Sequence, residues 1–168
     1  MLGGMKPLPD SPAINPPLVA SGAARGITRM LARNGIWCLP EMPLRNGRRA
    51  DLMGVDAKGH VIIVEIKVAR ADLLGDTKWT DYLDHCDRFF WGLAHHLDRA
   101  CMESEAFLPQ RCGLIVADHY DAELLRPAPL HPLPAARRKV EVELLARTAL
   151  RRQAMAADPQ IARWDEGS

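Results

Sequence analysis

The sequence has no paired cysteines. Cys38, Cys86, Cys101 and Cys112 are scattered, with no C-x-x-C spacing. That excludes the usual zinc-ligand pattern and gives no support to a disulfide framework in a chain of this size. Reduced thiols in a cytoplasm are expected. No apolar run is long enough to cross a bilayer. The opening stretch, MLGGMKPLPDSPAINPP, is too rich in proline and too polar for a secretory signal. The expectation is a soluble cytoplasmic protein with no membrane partner. Charge of one sign is also not in excess. Lys and Arg number 22 and Asp and Glu 21, for a net charge of +1 and a pI near 7.8. The chain is no polycation, so a grip on nucleic acid must come from local basic patches. No internal repeat is visible.

What is present fits one domain. The chain has 168 residues, 48% of them hydrophobic, enough for a real core. Residues 1–16 read as a mobile tail, broken by Gly and Pro. Residues 17–157 read as the domain and 158–168 as a C-terminal tail. A first helix is expected from Pro17 to Asn34, with Ala20, Ala23, Ile27, Met30 and Leu31 as its apolar stripe. Strands are expected over Ile36–Pro43, Arg49–Val55 and Val61–Val68. The last, VIIVEIKV, has the highest β-branched content in the chain. A helix over Asp76–Cys86 follows, with Asp76 as N-cap. Arg88–Ala94 reads as a strand and residues 95–110 as irregular. Gly113–Asp118 and Ala122–Arg126 read as a second hairpin. PAPLHPLP is a stiff connector. A final helix over Ala135–Ala156 should bury Val142, Leu145, Ala146, Ala149 and Leu150. The order predicts an α/β sandwich around one mixed sheet.

The first hairpin carries the chemistry. A three-residue loop favours a type I turn closed by a left-handed glycine. Ala57-Lys58-Gly59 fits, and Asp56 then faces His60. Counting outward, Val55 faces Val61, Met53 faces Ile63, and Asp51 faces Glu65. Opposed side chains share a face, about 5 Å apart. Lys67, two residues past Glu65, lies on that face too. Two carboxylates so placed repel, and burial raises the cost. A divalent cation resolves both problems. Mg²⁺ takes oxygen ligands and retains waters for substrate phosphates. Asp51, Glu65 and the Ile66 carbonyl are the candidate ligands. Lys67 is the candidate to orient a water or to stabilise charge on phosphorus. Two alternatives stand at this point. The pair can be neutralised by the lysine alone. A two-residue loop would shift the register by one and turn Asp51 away from Glu65. A bare E-x-K recurs about once per few hundred residues.

These pieces resemble the PD-(D/E)XK nuclease superfamily. Asp51 follows the basic Arg48-Arg49-Ala50, and Glu65-Ile66-Lys67 lies on the next strand. Ala50 replaces the proline of the family's name, leaving the ligands intact. More specifically, RRADLMGVDAKGHVIIVEIKVARADLLGDTKWTDYLDHCDRFFW, then GLIVAD and LLRPAP, resemble the MmcB-like bacterial DNA repair proteins. The stretch KWTDYLDHCDRF is far more specific than E-x-K. The resemblance covers residues 17 to about 156. It implies a restriction-endonuclease-like fold and a role in DNA repair. It implies a magnesium-dependent phosphodiesterase centre, with Mn²⁺ able to substitute, or a DNA-binding accessory that retains the fold with a silent centre. DNA is the implied partner. Other repair proteins and a second copy are further candidates, although nothing in the sequence marks an interface.

In several nuclease relatives a Gln-x-x-x-Tyr pair follows the catalytic lysine and approaches the DNA backbone. Lys78 and Tyr82 have that spacing, with Lys in place of Gln. On an α-helix Lys78, Tyr82 and His85 share one face, while Trp79, Leu83 and Cys86 share another. Arg49 and Arg70 are further candidates for phosphate contact, although Arg70 and Asp72 also read as a loop ion pair. Glu41 is a candidate extra metal ligand or a plain surface residue. Arg25, Arg29 and Arg33 form one basic helix face. Arg137, Arg138, Arg147, Arg151 and Arg152 form another, and solvation is the ordinary role of both. His95-His96 has no partner at metal-ligand spacing, and Tyr120 reads as a turn residue.

Overall fold

The computed structural model describes residues 19–165. The expected N-terminal tail, and the start of the first helix at Pro17, lie outside those residues. Helix α1 spans Ala20–Arg33 and buries Ala23, Ile27, Met30 and Leu31 at helical spacing. Three antiparallel strands follow: β1 (Trp37–Pro43), β2 (Arg49–Val55) and β3 (Val61–Lys67). Helix α2 (Arg70–Gly75) and a 3₁₀ segment (Trp79–His85) lead to β4 (Arg88–Ala94). Strand β5 (Cys112–Ala117) and strand β6 (Ala122–Arg126) form the second hairpin. Helix α3 spans Ala135–Ala157, and a short α4 spans Ala162–Asp165.

The six strands lie in sequence order. Strands β3, β4 and β5 are parallel and the flanking pairs antiparallel, so the sheet is mixed. Helix α1 covers one face, over Leu52, Ile62, Val64, Ile66, Phe90 and Ile115. The other face carries Met53, Ile63, Phe89, Trp91 and Leu114, covered by the 3₁₀ segments and Leu145 of α3. Every residue of β3 is buried, as a central strand covered on both faces requires. This is an α/β fold whose layers are consistent with a restriction-endonuclease-like sandwich. No described helix is long and apolar enough to cross a membrane. All four cysteines are free.

The β2–β3 loop has the geometry expected of it. Gly59 sits at φ +79°, its N–H donating to the Asp56 carbonyl at 3.0 Å, and the Asp56 N–H donates to the His60 carbonyl at 3.1 Å. The Asp56 side chain accepts from the Lys58 and His60 amides as well, which fixes the turn. Val55 pairs with Val61 and Met53 with Ile63, and the hydrogen-bonded ladder ends at Leu52–Val64.

The segment after the motif departs from expectation. Arg70–Gly75 is a short helix rather than a loop, and Trp79–His85 is 3₁₀, not α. The buried residues Trp79, Tyr82 and His85 are spaced three apart, matching three residues per turn. The Trp79 ring meets Trp91 edge-on and Phe89 at a tilt, with centroids at 4.7 and 5.4 Å. Asp76 is not the N-cap; its carboxylate accepts from Lys67 instead, and Lys78 holds the cap position. Helix α3 is also rotated from its expected stripe. Glu141, Leu145 and Thr148 are buried, whereas Leu150 is exposed. Glu141 turns inward because His85 and Arg137 both donate to it, at 2.7 and 3.1 Å. Beyond Asp158 the described chain continues as a 3₁₀ turn and α4.

One buried network fastens the opposite end of the sheet. Asp87 accepts from the Val61 and Leu133 amides, each at 2.7 Å, and pairs with Arg138. The connector 127–134 is thereby pinned beside the start of β3 and β4. The three donors hold the Asp87 carboxyl below the usual carboxylate range despite its burial.

Candidate metal and nucleic-acid site

Continuing the β2–β3 register past Leu52 and Val64 sets Asp51 opposite Glu65. The ladder stops there because the Asp51 side chain takes over. Its Oδ2 accepts the Ile66 N–H at 2.7 Å. Asp51 is thus turned toward Ile66, and the two line one cleft of about 520 Å³. The opposite wall of that cleft is α1, with Ala20, Ser21, Arg25, Thr28 and Arg29. Pro40 and Glu41 close its end.

Glu65 and Lys67 do not line this cleft and are only 8% and 6% exposed. Lys67 Nζ is 3.8 Å from Glu65 Oε1 and 3.0 Å from Asp76 Oδ2. It also sits 5.9 Å from the centre of the Trp91 ring. The lysine therefore bridges two acids, and Asp76 is a member of the cluster that sequence reasoning took for a helix cap. Burial pushes the Glu65 carboxyl up to about 8, with the Asp51 charge adding to the shift. Burial raises Asp51 too, against the hydrogen bond from Ile66 and the charge of Lys67. Glu65 Oε2 is buried with no hydrogen-bond partner.

That orphaned oxygen is the test of fit for a cation. Glu65 and Asp76 flank one ammonium, with Asp51 beside Glu65, and Asp76 is also 3.9 Å from the Arg48 guanidinium. One buried oxygen, Glu65 Oε2, is left without a donor. Among the described residues no group of three His, Cys, Asp or Glu side chains is arranged to hold a metal. Two carboxylates and a backbone carbonyl remain as the donor set, and that set suits Mg²⁺, which keeps much of its water shell.

Glu41 approaches from β1 in an unusual conformation. Its φ is +49°, a left-handed value costly for a side chain with a Cβ. Arg152 of α3 donates to the Pro40 and Glu41 carbonyls at 2.6 and 2.9 Å and holds the distortion in place. The Glu41 carboxylate is 3.8 Å from the Arg49 guanidinium, and both side chains are exposed. Its charge contributes to the rise at Asp51.

The pair Lys78 and Tyr82 does not share an exposed face. Three-residue turns align Tyr82 with Trp79 and His85, not with Lys78. Tyr82 is 3% exposed, and its hydroxyl donates to the Arg49 carbonyl at 2.9 Å. The Arg48 guanidinium lies 5.1 Å from the ring centre, and its Nε donates to Asp81 at 3.2 Å. Lys78 is exposed. Arg70 and Asp72 are exposed in the first turn of α2, with no ion pair between them. On α1, Arg29 donates to the Tyr120 carbonyl at 2.9 Å and Arg33 pairs with Asp121 at 2.6 Å. Arg25 stands exposed at the cleft rim. Arg137, Arg138 and Arg152 serve Glu141, Asp87 and the β1 carbonyls, so much of the C-terminal basic set is structural. His95 and His96 have a neighbour the sequence did not reveal: the His119 ring lies 6.4 Å from that of His95.

A six-stranded mixed sheet with carboxylates and a lysine at one strand end, beside a basic helix face, defines an α/β protein with an acidic centre. Residues 16–160 match the family described as DNA repair protein MmcB-like. The chain belongs to that family. A solved structure described as SPO1766 protein of unknown function from Silicibacter pomeroyi is similar as well. It is 40% identical, with a TM-score of 0.73, and the match covers 82% of this chain and 90% of that one. Comparison with curated proteins gives no match.

Proposed function

We propose that this protein acts in DNA repair as a metal-dependent phosphodiesterase of the PD-(D/E)XK kind. The family points to repair and to DNA as the partner. The observation that carries the chemistry is Glu65: a buried carboxylate with an unpartnered oxygen, beside a second carboxylate and a lysine. Asp51, Glu65 and the Ile66 carbonyl would hold Mg²⁺, or Mn²⁺ in its place. Bound there, the ion would lower the pKa of a water and offset charge on a phosphate. Asp51 would align its ligating oxygen through the hydrogen bond from Ile66. Lys67 would hold its proton between Glu65 and Asp76 and face the developing phosphate charge. The cleft would take the DNA backbone. Its α1 wall supplies Arg25 and Arg29, and the first turn of α1 carries no acidic residue to repel phosphate. Arg49 and Lys78 would add phosphate contacts from exposed positions, and Arg70 would do so from α2.

A panel of duplex, single-stranded, flapped and forked DNA tests this, with Mg²⁺ or Mn²⁺. Cleavage should be lost in Glu65→Ala and Lys67→Ala. If neither metal supports cleavage that depends on those residues, the enzyme reading is wrong.

One observation favours a second reading, a DNA-binding accessory with a silent centre. Glu65 and Lys67 are nearly closed to solvent, and Lys67 is already paired with Asp76 at 3.0 Å. That reading predicts salt-sensitive DNA binding that survives Lys67→Ala, with no cleavage.

A further inference from the structure

The loop joining β5 to β6 is far more constrained than a connection of its length requires. Asp118 Oδ1 accepts from the Tyr120 and Asp121 amides at 2.7 and 2.8 Å. The Asp118 N–H donates to the Asp121 carbonyl at 3.0 Å. Two arginines of α1 reach over to it. Arg29 takes the Tyr120 carbonyl, and Arg33 takes the Asp121 carboxylate. Helix α1 can lie this close because Gly26 faces the loop. A Cβ at that position would come 2.6 Å from the Asp121 carbonyl oxygen. The backbone of Tyr120 is held on both sides, yet its side chain is 75% exposed. The chain has only two tyrosines, and the other is buried.

The loop stands at the same sheet end as the acidic centre. Lys67 pairs with Leu93, and one step further Ala94 pairs with Ala117, the last residue of β5. Two strand spacings separate β3 from β5, about 10 Å. Arg29 links the two places, because it lines the cleft beside Asp51 and also anchors Tyr120. Of the nearby acids, Asp118 accepts backbone amides and Asp121 pairs with Arg33, while Glu123 is exposed.

We infer that Tyr120 is a stacking platform for an unpaired base of a DNA strand whose backbone enters the Asp51 cleft. An aromatic ring offers a sequence-tolerant face to any base, and a fixed backbone lowers the ordering cost of contact. A base inside a duplex is already stacked on its neighbours, so the platform serves single-stranded or frayed DNA. The assignment rests on the DNA reading above and adds to it the strand type and the contact.

Fluorescence anisotropy on a labelled single strand and on a blunt duplex, without metal, tests the assignment. Tyr120→Ala should weaken single-strand binding about ten-fold and duplex binding less than two-fold. Tyr120→Phe should match the parent, because the ring and not the hydroxyl makes the contact. A strand of the same length made abasic throughout should bind the parent about ten-fold more weakly, and Tyr120→Ala should lose much less on the same change. Equal single-strand affinity for Tyr120→Ala and the parent would overturn the platform. If Arg25→Ala still weakened binding in that case, the DNA reading would stand alone. Equal losses on both DNAs would also overturn it, in favour of a general surface contact. Failure of the parent to bind either DNA at low salt would remove both proposals.

Discussion

Glu65→Gln should stabilise the metal-free protein while destroying its proposed metal site. The ordinary glutamate value is 4.5, and burial with the Asp51 charge moves this one up to about 8. A shift of this size corresponds to about 5 kcal/mol against the charged form in the fold. That value already includes the charge of Lys67 at 3.8 Å, and relaxation around an opened site reduces the net effect to about 2 kcal/mol. The sign follows from linkage. The folded state binds this proton more tightly than the unfolded chain does, so the cost is absent below the unfolded value near 4.5. It grows as pH rises and is complete above about 8. Glutamine cannot ionise, so the variant avoids the cost. Thermal melts in a chelator should show little difference at pH 5. At pH 9 the variant should melt about 4–8 °C higher. Adding Mg²⁺ at neutral pH should raise the melting temperature of the parent and leave the variant unmoved. A variant that melts lower than the parent at pH 9 would show that Glu65 stabilises the fold as one half of an ordinary ion pair. Glu65 would then not be one half of a waiting metal site.

Two further outcomes are expected. Asp87→Ala strips partners from the Val61 and Leu133 amides and leaves Arg138 without its carboxylate, which should cost about 3–5 kcal/mol. Urea unfolding should show it as a midpoint about 2 M lower, at an ordinary slope of about 2 kcal/mol per molar. Because the folded Asp87 carboxyl is held below its usual range, its contribution is present above the unfolded value. The gap between parent and variant should therefore narrow as pH falls through the folded value. Arg25→Ala should weaken duplex and single-strand binding alike and reduce the slope of affinity against salt by about one ion, read from titrations at several ionic strengths.

Much of this fold was legible because the signals were local. Gly59 set the β2–β3 loop, the loop set the register, and the register brought Asp51 to Glu65. The apolar runs of β3 and β4 left little choice of element. The failures share a different origin: partners distant in sequence. Asp76 looked like a helix cap because its pairing with Lys67 depends on how α2 folds back. The inward turn of Glu141 depends on His85, fifty-six residues away. Tyr82 kept the spacing of a substrate contact, but the aromatic cluster of Trp79, Phe89 and Trp91 drew it into the core. The three-residue rhythm of Trp79, Tyr82 and His85 was the available clue to a 3₁₀ turn. The rigidity of the Tyr120 loop had no such clue, because two of its hydrogen bonds come from Arg29 and Arg33 of α1.

The sheet has two unlike ends. At the start of β3 and β4, Asp87 binds connector, strand and helix together. At the other end stand Asp51, Glu65, Lys67 and the Tyr120 loop. The Asp87 clamp is thus separate from the groups that would touch DNA. Substitutions at the acidic end leave the Asp87 clamp whole, so a lineage can alter or abandon the proposed reaction without first having to rebuild the protein. Descendants of one such fold would then differ in chemistry while remaining superimposable, and a resemblance of shape would outlast a resemblance of activity.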